Sequence, residues 1–209
     1  MLKSNCPQCG APVEFKFSQA VQTTCPYCRS IIVRHDVNLE KVAEMSDIPQ
    51  DASPIQLTTE GIYNNKAFYV AGRIVYEWHG GGWNEWHLAF QDGTSGWLSD
   101  AQAEYAVSFP VKNPVALPPA HNIVRGQNVR IQNIDMTVTT VTKARYAGTE
   151  GELPFEYWDK TELTFVDLRS PSSHFATIDY SEDPPLLFHG EMVDFDSLKL
   201  RNLRQFEGW

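Results

Sequence analysis

Long apolar runs are missing from this sequence: nowhere do about 18 consecutive hydrophobic residues occur, which excludes a membrane-spanning helix. The opening stretch MLKSNCPQCG lacks the apolar core of a secretory leader. Cysteine is confined to four copies within the first 28 residues. Thiols grouped in that way, with no leader, imply a reducing, cytoplasmic setting and metal binding rather than disulfides. Basic charge is equally scarce in the body of the chain. Residues 1–45 hold five Lys/Arg against four Asp/Glu, and the remainder holds twelve against twenty-two, giving the net −9. Phosphate contacts need clustered cations, so a nucleic-acid role is disfavoured and could rest only on Lys16, Arg29 and Arg34 near the N-terminus. No G-x-S-x-G elbow occurs, and the glycine-rich HGGGW stretch lacks the lysine and helix of a phosphate loop. With no visible nucleophile or cofactor fingerprint, the residues point away from an enzyme.

What the N-terminal segment does contain is specific. Cys6-Pro-Gln-Cys9 and Cys25-Pro-Tyr-Cys28 are two C-x-x-C knuckles separated by fifteen residues. Two residues between cysteines let both thiolates of a tight turn reach one ion, and two such turns complete a tetrahedron. Val13, Phe15 and Phe17 alternate with Glu14 and Lys16, as a half-buried strand does, and Ile31 to Val33 supply a second strand. This spacing predicts a zinc ribbon over residues 1–34 holding one structural Zn²⁺ through Cys6, Cys9, Cys25 and Cys28. Four thiolates leave no open coordination position, so such a metal folds the segment and does no chemistry.

Residues 35–57 read as a linker with one short helix, Asn38 to Ser46, ended by Pro49 and Pro54. Beyond it the sequence is strand and turn. Phe68, Val70, Ile74, Tyr76 and Trp78 fall on even positions, as do Trp86, Leu88 and Phe90. A hairpin loop at Gly80-Gly81-Gly82 would set Tyr76 opposite Trp86 and Ile74 opposite Leu88, with all large even residues on one face. Residues 120–209 repeat the rhythm of residues 58–119. The expected fold is therefore mainly β: a small zinc ribbon followed by two similar antiparallel barrel or sandwich halves.

The same register places Glu77 opposite Glu85, with His79 and His87 beside them. Facing carboxylates and imidazoles could serve an acid–base enzyme or a small-ligand site, or could simply be wetted side chains. Trp83, Leu153, Phe155 and Trp158 fall in expected loops, where apolar side chains would anchor a protein partner.

The combination of CPQCG, CPYCRS, WNEWHLAFQDGTSGWLSDAQ, GELPF, FATIDYS and FDSLKLRNLR resembles the bacterial family of unknown function DUF4178 from Gly61 to Arg204, with the ribbon as an N-terminal attachment. The resemblance implies an accessory protein of a membrane-stress system and carries no catalytic residues. The expectation is thus a zinc-binding, non-catalytic adaptor that captures another protein.

Overall fold

The computed structural model describes residues 2–35, 38–44, 48, 51–112, 116–157 and 161–206. Trp158 and Ser46 lie outside them. The mainly β reading holds: among the described residues there are fifteen strands and two short 3₁₀ turns, with no α-helix.

Eight strands close on themselves. β7 (Lys66–Trp78), β8 (Gly81–Phe90), β9 (Ser95–Ala101) and β10 (Glu104–Pro110) form an antiparallel meander. β12 (Ile134–Leu153), β13 (Glu162–Arg169), β14 (His174–Asp179) and β15 (Leu186–Val193) form another. β10 pairs with β15, and β12 pairs back onto β7, so the two meanders make one barrel rather than two. Eight strands enclose an interior wide enough to hold side chains and one small ligand.

Both faces of the barrel wall are buried, which sets the packing. Outside β7 to β10, Trp86, Leu88, Leu98 and Val107 pack beneath Ile55 and Leu198, which come from the straps on either side of the barrel sequence. Outside β12 to β15, Val166, Leu168, Ala176 and Ile178 pack beneath Ile123 and β11 (Asn128–Ile131). Each large side chain buried in this way contributes about 1.5–3 kcal/mol. β6 (Glu60–Tyr63) pairs antiparallel with the start of β7. The turns of the β6–β7 and β11–β12 hairpins run through Asn64–Asn65 and Gln132–Asn133, all four with positive φ, as two-residue hairpin turns require.

The first hairpin departs from its expected register. Trp78 pairs with Gly81, Tyr76 with Trp83 and Ile74 with Glu85, so the turn is His79–Gly80 and not three glycines. A bulge between Val70 and Gly72 adds a second shift. Phe68 and Val70 therefore face outward with Trp86, whereas Ile74 and Tyr76 face inward with Trp97 and Phe165. The large even residues do not share one face, because one extra residue in a strand reverses its alternation.

The expected helix over 38–46 is corrected to a strand. β5 (Asn38–Glu44) pairs with β4 (Ser30–His35), and Leu39 packs on the N-terminal core. An open strand edge offers seven residues more hydrogen bonds than an isolated turn of helix would give, since short helices are marginal alone. β4 in turn pairs with β3 (Gln22–Thr24), which joins the last two residues of β12. The N-terminal segment is therefore sewn to the barrel.

The cysteine cluster and the barrel lumen

The two knuckles fold identically. Gly10 N–H donates to the Cys6 carbonyl and Arg29 N–H to the Cys25 carbonyl, each at 2.9 Å. Gly10 and Arg29, the residue after each knuckle's second cysteine, both adopt positive φ, 74° and 62°. Glycine takes this conformation without strain; at Arg29 the turn imposes it. The result brings the four sulfurs together. Sγ of Cys6 lies 3.7 Å from Cys28 and Sγ of Cys9 lies 3.8 Å from Cys25, and all four lie within 4.8 Å of one another. A tetrahedral ion with sulfur at about 2.3 Å has sulfur–sulfur edges of about 3.8 Å. The four thiols are free of disulfides, and the cluster could hold a metal ion.

Glu152 fastens this segment to the barrel. Its carboxylate accepts the Lys16 and Phe17 N–H groups at 2.8 and 2.7 Å, and its carbonyl meets His87 Nδ1 at 2.8 Å. Gly72 makes the approach possible, because a Cβ there would overlap the Glu152 carbonyl oxygen. His87, expected on a wet face, is fully buried. Its ring touches Phe17 and Trp97 at 5.1 and 5.3 Å, and Nε2 reaches Ser95 Oγ at 2.7 Å. Burial pushes its pKa down to about 4, opposed by the bond to Glu152. The imidazole is thus a neutral structural link. Folded stability from this group is lost as pH falls from 6.5 toward 4. His87→Leu leaves the Glu152 carbonyl and Ser95 unpaired, and denaturant unfolding should show a loss of about 1–3 kcal/mol with metal content unchanged.

The remaining members of the expected polar face part company. Glu77 lies on the outside, 3.2 Å from Arg145, and His79 is exposed at the hairpin turn. Both border a broad outer groove of about 940 Å³. Glu85 points into the barrel instead. Of the expected partner anchors, Leu153 is fully buried, Trp83 stacks on Tyr76 at 4.9 Å, and Phe155 packs 5.6 Å from Trp97.

The lumen carries the chemistry that sequence reading missed. A cavity of about 560 Å³ enters between Phe155, Tyr157 and the 181–184 loop, and reaches Glu85. A second cavity of about 240 Å³ enters at the other end, past Gln102 and Arg169, and also reaches Glu85. Ser99 Oγ donates to both Glu85 oxygens at 3.0 and 2.8 Å, and Trp83 Nε1 donates to Oε1 at 3.0 Å. Protein surrounds this carboxyl, although its side chain keeps a surface on the lumen. Burial pushes its pKa up to about 8, with Asp167 and Asp179 adding to the rise and the Ser99 and Trp83 bonds opposing it. Burial likewise raises Asp167 to about 6, against a 2.8 Å bond from Thr177 Oγ1. Asp179, one register step along β14, is raised by burial as well.

Fold and site define a class: an antiparallel β-barrel with an acidic, aromatic lumen and a docked four-cysteine segment. The chain belongs to the family described as a domain of unknown function (DUF4178), which matches residues 56–195. That span runs from the first strap through β15 and leaves the cysteine segment outside. The search of curated proteins and that of solved structures found no match.

Proposed function

We propose that this protein is a ligand-carrying accessory protein whose barrel lumen binds a small molecule, and that a structural Zn²⁺ on Cys6, Cys9, Cys25 and Cys28 holds the N-terminal segment against the barrel. One observation carries the reading: a lumen of about 560 Å³ that combines aromatic walls with buried, incompletely neutralised carboxyls. Pockets of a few hundred Å³ lined by apolar surface with a few placed polar groups are the usual form of small-ligand sites. A barrel needing only stability would fill that volume with aliphatic side chains, since buried carboxyls and voids both cost free energy. Zinc is favoured by the Cys6–Cys28 and Cys9–Cys25 sulfur spacings, 3.7 and 3.8 Å, which match two edges of a tetrahedral tetrathiolate.

Capture of a protein partner has less support. It would rest on loop anchors, of which Trp83 and Phe155 are engaged in the barrel while Leu153 is buried. Nucleic-acid binding is opposed by the net −9.

A fragment screen followed by amide chemical shifts tests the lumen. Binding fragments should move Ile74, Glu85, Trp97, Ser108 and Thr177 together, and Thr177→Trp, which fills the space, should abolish those shifts. Shifts confined to the outer groove or the cysteine segment would sink the proposal.

A further inference from the structure

Resting on that reading, we propose that the lumen selects an organic cation, an alkylammonium group with an apolar body, seated against Glu85. The first ground is the sign of the lining. Glu85 and Asp179 face the larger cavity, Glu156, Glu182 and Asp183 stand around its mouth, and among the described residues no lysine, arginine or histidine lines it. In the smaller cavity Asp167 joins Glu85. The cation at that end, Arg169, is paired with Glu104 at 2.5 Å. An anionic ligand would find no cation in this lining and would hold the carboxyls protonated, whereas a cation can be met by an ionised carboxylate in a low-dielectric space, where the attraction is strongest.

The second ground is the wall. Tyr76, Trp97, Phe155, Tyr157, Phe165 and Phe188 line the same cavity. Tyr76 and Phe165 lie edge to face at 4.8 Å, and Tyr76 Oη meets Tyr157 Oη at 3.1 Å, so these rings are fixed by each other. Aromatic faces attract a cation within about 6 Å, most strongly where water is excluded, and they also cover its hydrocarbon. Carboxylate plus aromatic wall is the chemistry that recognises an ammonium group.

The third ground separates an organic cation from a metal ion. Among the described residues, only the four cysteines gather three or more donor atoms close enough to share one ion. The lumen carboxyls are spread along the barrel and do not converge. A compact metal would satisfy one of them, whereas an extended ammonium ligand uses both carboxyl and rings. The raised pKa of Glu85 is the empty-site counterpart: a cation beside it restores the ionised form, so binding near neutral pH should release a proton.

The test uses three molecules of one shape and different charge, 4-phenylbutylammonium, 4-phenylbutanol and 4-phenylbutyrate, titrated into the full chain at pH 7 with amide shifts and calorimetry as readouts. The ammonium is expected to bind at the lumen residues at least tenfold more tightly than the alcohol, with butyrate not binding. Its calorimetric heat should change with the ionisation enthalpy of the buffer, reporting proton release. Glu85→Gln should weaken the ammonium at least tenfold and remove the buffer dependence, while Glu77→Gln on the outer face should change neither. If Glu85→Gln does not fold, Asp179→Asn serves in the same comparison. Equal or tighter lumen binding of the alcohol or butyrate overturns the cation proposal and leaves the ligand-carrying reading standing. If no fragment of any charge moves the lumen residues, both fall.

Discussion

Chelating the metal proposed for the four cysteines is expected to unfold residues 2–44 and to leave β8 to β10 and β13 to β15 protected from hydrogen exchange. The N-terminal segment has a small core and one short seam to the barrel, a ladder reinforced by the bonds of the Gln22 side chain to Thr149 and Tyr157. Its core is Val13, Phe15, Phe17 and Ile32 with two of the cysteines, closed against Ala71 and Ala89 of the barrel. Its ladder to β12 consists of Thr23 with Glu152 and Gln22 with Leu153. Structural zinc in small finger peptides contributes roughly 10–16 kcal/mol, as much as the whole stability of an ordinary domain. Removing it also leaves four thiols crowded within 4.8 Å. The damage should not stop cleanly at the segment boundary. Once Phe17 and Lys16 leave, Glu152 loses both amide donors and His87 loses one of its two ring partners, so protection should fall at residues 151–153 and around His87 as well. Elemental analysis before chelation should give one zinc per chain. Stoichiometric iron would refute the metal assignment. Unchanged exchange in residues 2–44 would refute the metal's structural role, and loss throughout the barrel would refute the barrel's independence from it.

The cysteine cluster was legible in sequence because its geometry is local. Two residues between thiols and a left-handed residue after each pair suffice to build half a tetrahedron, whatever the rest of the chain does. The lumen was not legible, for two physical reasons. Register in the first hairpin depends on whether His79 and Gly80 or three glycines make the turn, and composition favours the glycines. The true turn shifts the pairing by an odd number, and an odd shift exchanges the faces: Glu85 moves from beside Glu77 to the barrel interior. The bulge at residue 71 then hides the error, because Phe68 and Val70 still alternate with the same parity as Ile74 and Tyr76.

Asp167 and Asp179 do not stand out in the sequence because a polar residue alternating with apolar ones reads as the wet side of a half-buried strand. Here the wet side is the lumen. A signal was present in β13, where Phe165 stands on the same face as Asp167 while Val166 and Leu168 occupy the other. Large apolar residues on both faces mark a strand buried twice, and a carboxylate in such a strand must face an enclosed space. The helix expected over residues 38–46 failed for a related reason: the edge of β4 that recruits β5 is a tertiary feature, invisible to local periodicity.

Stability should fall as pH rises from about 6.5 to 8.5, and Glu85→Gln should remove most of that fall. The sign follows from proton counting. Glu85 titrates near 4.5 when unfolded and near 8 when folded, so between those values the folded state holds the extra proton, and raising pH favours unfolding. Each unit of pKa difference corresponds to about 1.4 kcal/mol, so the full window carries on the order of 4–5 kcal/mol, reduced where lumen water solvates the ionised carboxylate. Other groups complicate the acid half. Asp167 contributes in the same direction from 3.8 to about 6, while His87 contributes oppositely from about 4 to 6.5. Above pH 6.5 both are in the last part of their titrations and act with opposite signs, so Glu85 dominates, with about 2 kcal/mol of its effect still to come by pH 8. Glutamine keeps the shape of the side chain, accepts from Trp83 through its oxygen and donates to Ser99 through its amide, so the fold is retained. Urea unfolding at pH 6.5, 7.5 and 8.5 should therefore show a falling parent and a nearly level variant, with the variant the more stable by about 2–4 kcal/mol at pH 8.5. Parallel slopes for the two proteins would mean that Glu85 is ionised throughout, and the buried, protonated carboxyl at the centre of the lumen would have to be abandoned.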